Sequence, residues 1–432
     1  MLGFFSRLSV YPSAKPGTDK SRSDALQARL YFAHAEPQLL CRTSPTRPAM
    51  TSLDIARTLI GFDTVSRNSN LGMIEWIRDR LAGQGVRSHL SYDDHGSKAN
   101  LLATIGDRPG PGIALSGHTD VVPVDGQQWS SEPFKPEERE GRLYGRGAVD
   151  MKSFIACCLS AVPKMLAAPL TRPVHLAFTY DEEVGCLGAP RLIADARSRG
   201  VELAGCIIGE PTGMQVMTGH KGMRVYRCKV LGREMHSSLA PEGVNAIEYA
   251  ARMIEFVRTL AAELRVKGPH DPGYSVPYPT LQTGLIRGGI ANNIVPRDCE
   301  FEFDFRYLPG MDVEAAVDRI RRFARETLEP EMRRIAPEAA ISLSLDHEAP
   351  GLLTREDDRL TYLGTKLTGN KRIGRVPFAT DGGHFHLAGV PTIVVGPGSI
   401  SQAHKPDEYI ELTQITECDA FMQRLITHLT TN

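Results

Sequence analysis

The sequence predicts an α/β fold, in which a mainly parallel sheet has helices on both faces and a smaller α+β unit is inserted. In the first part of the chain, short apolar runs typical of buried strands alternate with amphipathic helical patterns, which is the order of a parallel sheet. Between residues 221 and 347 the order becomes β-α-β-β-α-β, typical of a split βαβ, ferredoxin-like unit. From residue 348 onwards the first pattern returns.

The length of the chain favours two domains. It has 432 residues, 41% of them hydrophobic, which is enough to bury two cores. We expect residues 50–220 and 348–432 to form one discontinuous domain and residues 221–347 to form a domain inserted into it.

Residues 1–49 differ from the rest of the chain. They are rich in proline, serine and basic side chains and have no sustained periodicity, which predicts a disordered extension, with Met50 as the start of the folded unit. A transit peptide is an alternative, against which the acidic residues of this segment count. Deletion of residues 1–49 should therefore leave activity intact, and loss of soluble, active protein would contradict this interpretation.

Hydrophobic periodicity, together with capping and helix-breaking residues, delimits the predicted helices and strands. Ser52 is the expected cap of the first helix, Gly83 ends the second, and Pro163 should kink or end the third. The predicted helices span residues 53–60, 71–81, 152–166, 187–196, 245–260 and 312–328, part of 353–368, and 413–428. The predicted strands span residues 87–92, 99–105, 112–116, 173–180, 205–209, 223–231, 280–286, 299–307, 340–345 and 391–395.

Composition excludes several classes of partner. The net charge of -1 does not indicate nucleic acid or an anionic membrane, and no run of about eighteen apolar residues could span a bilayer. The 8 cysteines lack C-x-x-C spacing, which predicts free thiols rather than disulfides or a zinc knuckle. We therefore expect a reducing compartment, the cytoplasm.

Polar side chains follow three predicted strands at the points where they end. His118 comes just after the first of these strands, Glu182 and Glu183 after the second, and Glu210 after the third. Any one of them alone would be interpreted as an ordinary polar strand end. Because the carboxyl ends of parallel strands meet at one edge of a sheet, three together indicate a site.

Three further residues are expected at this edge. If the chain stays extended, Asp120 points to the same side as His118, so its carboxylate can accept a proton from one imidazole nitrogen and leave the other nitrogen for a metal. Asp150 and His404 each follow a glycine-rich turn that could return them to the same place.

Two imidazoles with surplus carboxylates predict a catalytic metal site. Nitrogen and oxygen donors suit zinc, cobalt or manganese, and the number of carboxylates favours two ions with one bridging carboxylate. Such ions activate water for attack on an acyl carbon. Since Glu182 and Glu183 are neighbours on an extended segment, one could bind metal while the other serves as the base.

Seven motifs resemble those of a known family. HTDVVP, GRGAVDMK, DEEVG, IIGEPT, GREMHSS, ANNIVP and AHKPDEYI are similar, in order and spacing over residues 51–432, to the dinuclear zinc deacylases and exopeptidases that include acetylornithine deacetylase and succinyl-diaminopimelate desuccinylase. The resemblance implies the following roles: His118 and Glu210 hold one ion, Glu183 and His404 hold the other, Asp150 bridges them, Glu182 is the general base, and Asp120 is the partner of His118.

The resemblance implies that the inserted domain, residues 221–347, is a lid or dimerisation domain, and it assigns roles to some of its residues. His236 would donate a hydrogen bond to the oxyanion in the site of a partner subunit, which implies a homodimer formed through the inserted domain. Asn293 and Arg306 would bind substrate. The alternatives are a capping or packing histidine at 236 and a strand-edge charge at 306.

The substrate implied by the resemblance is a small N-acyl amino acid, and N2-acetylornithine is expected, giving acetate and ornithine. Succinyl-diaminopimelate, another N-acyl amino acid or a dipeptide is the alternative, since Thr380 to Gly383 departs from the usual Thr-Glu-Ala of the deacetylases. A non-catalytic dimeric binding module is the alternative from another class, and the presence of Glu182 as a free base argues against it.

Overall fold

The computed structural model describes residues 50 to 431, so the predicted N-terminal extension lies outside the described residues. The helices are α1 (Ser52–Ile60), α2 (Leu71–Ala82), α3 (Ser153–Ala167), α4 (Gly188–Ser198), α5 (Ala246–Lys267), α6 (Val313–Phe323), α7 (Glu329–Arg333), α8 (Arg359–Thr368), α9 (Gly382–Leu387) and α10 (Leu412–Thr431). The strands are β1 (Ser88–Tyr92), β2 (Ala99–Ile105), β3 (Gly112–His118), β4 (Glu137–Arg139), β5 (Arg142–Tyr144), β6 (Val174–Thr179), β7 (Leu203–Ile208), β8 (Val216–His220), β9 (Gly222–Leu231), β10 (Thr280–Gly288), β11 (Asp298–Tyr307), β12 (Ala340–Ala349), β13 (Leu352–Leu353), β14 (Ile373–Val376), β15 (Thr392–Val394) and β16 (Tyr409–Glu411).

The main sheet has a parallel centre. Its nine strands follow the order β1-β2-β6-β3-β7-β15-β8-β13, with β14 beside β8. β3 runs parallel to both β6 and β7, and β15 runs parallel to β7, whereas β1, β2 and β13 pair antiparallel with their neighbours. Every residue of β3 and β6 is buried, as expected for central strands covered on both faces.

Helices cover both faces of this sheet. On one face, Leu115 packs into a core shared with α1, α2, α3, α8 and α10. On the other face, its neighbour Ala114 packs with α4 and α9. Successive residues of a strand point to opposite faces, so this division follows from the pleat. The α/β fold class is therefore confirmed.

A second, antiparallel sheet has a core of its own. It has the strand order β10-β11-β9-β12, and α5 and α6 pack against it. Phe301, Phe303 and Phe305 alternate along β11 and are all buried under these helices. The predicted β-α-β-β-α-β order is observed, while the domain boundaries stay a prediction. A third sheet contains β16, β5 and β4.

Some local predictions were wrong. Thr51, not Ser52, caps α1, because the Thr51 hydroxyl accepts from the Asp54 amide. Helix α3 neither ends nor breaks at Pro163 but continues to Ala167, since Val162 and Met165 on either side of the proline are held in the core. Strand β8 was not predicted.

Two predictions from composition can be compared with the described residues. All cysteines within residues 50–431 are buried, and none forms a disulfide. No helix in this part of the chain is both long enough and apolar enough to cross a membrane.

Candidate metal centre

Three parallel strands bring the predicted site residues to one edge of the main sheet. β3 ends at His118, β6 ends three residues before Glu182, and β7 ends two residues before Glu210. Since β3 lies between β6 and β7 and is parallel to both, their carboxyl ends are adjacent. The edge predicted from the sequence to carry the site is thus the edge where these side chains lie.

The first group of donor atoms contains one imidazole and two carboxylates. His118 Nε2 lies 2.9 Å from Asp150 Oδ1 and 3.5 Å from Glu210 Oε1. All three side chains are buried. One imidazole and two carboxylates held this close together form a donor set that suits a divalent metal ion.

The second group shares Asp150 with the first. His404 Nε2 lies 3.2 Å from Asp150 Oδ2 and 3.1 Å from Glu183 Oε2. The two carboxylate oxygens of Asp150 therefore face different groups, which is the geometry of a bridging ligand. His404 is the most accessible member, with a side chain that is 52% exposed.

Asp120 connects His118 with the loop that carries the two glutamates. His118 Nδ1 lies 2.8 Å from the main-chain oxygen of Asp120 and 3.6 Å from its carboxylate. The main-chain oxygen, rather than the carboxylate expected from the sequence, is therefore the nearer acceptor. The carboxylate instead accepts from the Ser66 hydroxyl at 2.6 Å and from the amides of Glu182 and Glu183 at 3.1 and 3.3 Å.

A buried ion pair fixes the segment that carries Asp150. Glu408 Oε1 accepts from the amides of Val149 and Asp150 at 2.9 and 3.2 Å. Glu408 Oε2 accepts from the Gly147 amide at 3.1 Å and from Arg146 Nη1 at 2.7 Å. The side chains of Arg146 and Glu408 are each only 1% exposed. The peptide bond between Asp150 and Met151 is cis.

Glu182 belongs to neither group of three. Its Oε1 is 3.6 Å from the Cys186 thiol, which is the only hydrogen-bond donor to this carboxylate within residues 50–431. Burial, together with the charges of Glu210 and Glu183, raises the pKa of the Glu182 carboxyl well above its usual range, against a lowering by His118. A raised pKa makes the Glu182 carboxylate a stronger base, which suits the removal of a proton from water.

The electrostatics of the site call for added positive charge. Burial and the Asp150 charge raise the pKa of Glu183 and Glu210. Hydrogen bonds to Asp150 and Glu183 raise the pKa of His404 to about 10, and the carboxylates raise that of His118 in spite of its burial. Two imidazoles cannot neutralise this number of buried carboxylates, so divalent cations fit the site.

The donor separations also fit metal binding. Within each group the candidate ligand atoms all lie within 4.8 Å of one another. Ligands about 2.0–2.2 Å from a tetrahedral ion lie roughly 3.3 Å apart, close to the separations found here. The residues present therefore suit a pair of ions that share Asp150.

The predicted substrate residues lie elsewhere, with the smaller sheet. His236 is exposed and precedes a short 3-10 turn, and its Nδ1 lies 2.8 Å from the Ser238 hydroxyl. The main-chain oxygen of Asn293 accepts from the Ser237 amide at 3.0 Å. Arg306 pairs with Asp304 at 3.0 Å. Within residues 50–431, no hydrogen bond or ion pair joins His236, Asn293 or Arg306 to the two donor groups.

Sequence reasoning missed several residues that support the site. Lys98 Nζ lies 2.5 Å from Asp181, the residue before the two glutamates. Asp381, in the stretch that departs from the family pattern, is buried, and its Oδ2 accepts from the Thr179 hydroxyl at 2.6 Å. Burial raises the pKa of Asp381 to about 6. Glu408 lies within the motif AHKPDEYI, and its place in that motif was the only indication in the sequence that it could support the site.

Comparisons with known proteins identify the class. The model of peptidase family M20/M25/M40 matches residues 114–428, and this chain belongs to that family. Acetylornithine deacetylase from Proteus mirabilis is 35% identical over 383 residues, which cover 87% of this chain and 96% of that protein. Acetylornithine deacetylase from Pasteurella multocida is 33% identical over 378 residues, covering 87% and 96%. The resemblance inferred from the motifs is confirmed, and these relatives do not favour a non-catalytic binding module.

Solved structures share the fold. An M20 family metallo-carboxypeptidase from Sulfolobus solfataricus has a TM-score of 0.70 at 18% identity, with 88% of this chain and 99% of that chain covered. A dinuclear metal binding peptidase of the M20 family from Bacillus subtilis has a TM-score of 0.59 at 14% identity, covering 88% and 98%. At these identities the likeness supports the fold alone.

Proposed function

We propose that this enzyme is a two-metal amidohydrolase that removes the acetyl group from N2-acetylornithine. The observation that carries the proposal is the sharing of Asp150 between two groups, one with His118 and Glu210 and the other with Glu183 and His404. The relatives that are named acetylornithine deacetylase and cover most of the chain support the choice of substrate.

The ions are assigned to these five side chains. His118, Glu210 and Asp150 would hold one ion, and Glu183, His404 and Asp150 the other. When bound, divalent ions would lower the pKa of water and polarise the acyl carbonyl. Zinc is the best match to the nitrogen and oxygen donors, and cobalt or manganese would also suit them.

The remaining side chains would move protons and orient groups. Glu182 would take the proton of the attacking water at its Oε2, since Oε1 faces the Cys186 thiol, and would return it to the leaving amine. Asp120 would keep the ring of His118 in place through its main-chain oxygen. Asn293 and Arg306 would bind the amino-acid part of the substrate.

His236 would complete the site of a second subunit. Its exposure and its lack of any contact with the donor groups of its own chain, among the described residues, support a role in trans. A homodimer formed through the smaller sheet would supply the partner's His236 as a donor to the oxyanion. Free, buried thiols support a cytoplasmic location for this dimer.

The test is a substrate panel with purified protein loaded with zinc or cobalt. We expect kcat/KM for N2-acetylornithine to exceed that for succinyl-diaminopimelate, other N-acyl amino acids and dipeptides. A higher value for succinyl-diaminopimelate would overturn the substrate assignment, and the absence of hydrolysis of every acyl amino acid would overturn the enzymatic proposal. Metal analysis of the same samples should give two ions per chain.

A further inference from the structure

A cavity lies at the edge of the main sheet opposite to the metal centre. It has a volume of about 550 Å³ and is formed by the starts of β3 and β7, one side of α8 and the end of α10. Ile113 lines it near the start of β3, and His118 ends the same strand. At about 3.3 Å per strand residue the two residues are roughly 16 Å apart, so the cavity is separate from the metal centre.

Three cations surround this cavity without any acid among its lining residues. Arg172, Arg359 and Lys366 all line it. Within residues 50–431, no ion pair or hydrogen bond engages the side chain of any of these three. The neighbouring Arg355, by contrast, pairs with Asp357 at 2.6 Å. The positive charge at the cavity is therefore not neutralised by the protein.

Local acids are committed elsewhere. Asp358, which precedes Arg359 in the chain, does not line the cavity, and its carboxylate accepts from the Leu360 amide at 2.7 Å to cap α8. The Asp358 carboxylate is thus engaged at the start of α8 and does not pair with the cations of the cavity.

Two of the cations converge on one ring. Arg172 and Lys366 line the cavity together with His428, and their charges add to the burial that lowers the pKa of this histidine. Like charges near one another repel, and an anion bound between them would offset that repulsion.

The floor of the cavity is apolar. Leu360, Leu363 and Leu429 line it and are each at least nine-tenths buried. At the rim, the ring of Tyr362 is 71% exposed. Pockets of about 300–1,000 Å³ with apolar walls and a few polar groups are the usual size and character of small-molecule sites.

We propose that this cavity binds a small organic anion that has an apolar, ring-sized body and a multi-oxygen acid group. The body packs on the leucines and beside Tyr362, and the acid group receives hydrogen bonds from Arg172 and Lys366, with Arg359 at the mouth. Carboxylates, sulfonates and phosphates share this chemistry. The site is independent of the proposed deacetylase activity, because none of its lining residues belongs to the metal centre.

A pair of fluorescent probes tests the proposal. The anion 1-anilinonaphthalene-8-sulfonate carries a ring system and an acid group, whereas N-phenyl-1-naphthylamine has the same ring system without the charge. Titration of the metal-loaded enzyme should give saturable binding of the anion, weakened by added salt, and binding of the neutral probe that is roughly tenfold weaker. Equal affinity for both probes would overturn the role of the cations.

Variants locate the binding. Arg172→Gln combined with Lys366→Gln should weaken binding of the anion by about tenfold or more, since each lost cation removes a charge-assisted hydrogen bond. Lys267→Gln, which changes an exposed lysine on α5, should leave it unchanged. Unchanged affinity in the double variant would place the probe elsewhere, for example at the metal centre, and would overturn the proposal.

A second variant keeps the test decisive if the double variant fails to fold. The three cations are exposed, so the double variant should melt at the wild-type temperature. If it does not, the single variant Arg359→Gln provides the same comparison with a smaller loss of affinity. Wild-type affinity in a folded Arg359→Gln protein would then count against the site.

Discussion

The metal centre and the smaller sheet both carry predicted site residues, but they hold them differently. At the metal centre, His118, Asp150 and Glu210 are buried, and other groups of the same chain hold His118 and Asp150 in place. In the smaller sheet, His236 and Asn293 are exposed and make only local contacts. The first arrangement is preorganised within one subunit, and the second presents groups that still need a partner. Residues of the second kind are expected to act on substrate or on another subunit.

The largest expected effect on the rate of hydrolysis comes from Glu182, and it should distinguish the role of this residue from that of its neighbour Glu183. Glu182→Gln should lower kcat by about 10²- to 10⁴-fold, because the amide cannot take a proton from water. Its metal content should stay at the wild-type level, since Glu182 belongs to neither donor group. Rates of N2-acetylornithine hydrolysis and metal analysis would measure this.

Glu183→Gln is the matched control for that prediction. Glu183 lies 3.1 Å from His404 in the second donor group, so this variant should lose metal as well as activity. A Glu182→Gln enzyme that turns over at nearly the wild-type rate would eliminate the assigned base. Metal loss that is the same in both variants would show that their roles are not distinct.

His236 provides the test of the contrast between the two regions. His236→Ala should lower kcat roughly 100-fold, the usual cost of losing one oxyanion donor. If His236 acts in trans, mixing and reassociating this variant with Glu182→Gln should restore about a quarter of the wild-type rate, because half of the dimers are mixed and each contains one complete site.

Failure of that mixture to exceed the sum of its two components would place His236 in the site of its own chain. The measurement requires exchange of subunits, which a tagged and an untagged variant can verify by copurification. His270→Ala is a suitable control, since His270 is an exposed histidine whose hydrogen bonds, among the described residues, go to the main chain of Arg265 and Gly268, and whose ring lies beside that of Tyr278.

The fold could be predicted from the sequence where the burial of an element determines its pattern of apolar and polar residues. β2 was placed at its observed limits, because the mainly apolar stretch from Ala99 to Ile105 lies between Lys98 and the turn residues Gly106 and Asp107. β8 was missed because Val-Met-Thr-Gly-His has neither such a run nor a clear alternation. The edge that carries the site followed from the rule that parallel strands end together.

The supports of the site could not be predicted in the same way. The amides of Val149 and Asp150 meet Glu408, which is more than 250 positions further along the chain, and no local pattern encodes that contact. The same holds for Lys98 and Asp181, which join through packing of separate elements. The choice of the Asp120 main-chain oxygen over its carboxylate depends on the Ser66 hydroxyl and loop amides that occupy the carboxylate.

A smaller effect should come from the support of Asp150. Glu408→Gln keeps the size of the side chain but removes the charge that faces buried Arg146 and replaces one acceptor with a donor. We expect metal affinity to fall by about tenfold or more, the usual cost of losing a group that orients a ligand. Competition with a chelator measures this affinity independently of turnover.

A matched control for Glu408 is Glu411→Gln, on the same segment. Glu411 pairs with Arg142 at 2.9 Å, and both side chains are partly exposed, so its loss should leave metal affinity unchanged. Equal chelator sensitivity in the wild type and in Glu408→Gln would show that the ion pair stabilises the fold without positioning Asp150.

Arg306 lies in the smaller sheet, and its substitution is expected to have the smallest of these effects on catalysis. Its Nε donates to both carboxylate oxygens of Asp304 at 3.0 Å, and among the described residues no hydrogen bond uses its two terminal nitrogens. Burial lowers the pKa of the nearby Lys221, and the charge of Arg306 lowers it further, so positive charge accumulates here. Asp304 thus orients the guanidinium, and the two terminal nitrogens of Arg306 can donate hydrogen bonds to a substrate carboxylate.

Arg306→Lys should therefore raise KM for N2-acetylornithine by about tenfold with little change in kcat, because the two-point hydrogen bond to the α-carboxylate is lost. Arg322→Lys, at an exposed position on α6, should have no effect. N-acetyl-1,4-diaminobutane, which is the same substrate without the carboxylate, should be a poor substrate for the wild type, and Arg306→Lys should not make it poorer. An equal loss for both substrates would mean that Arg306 acts through the structure of β11 and not through contact with the carboxylate.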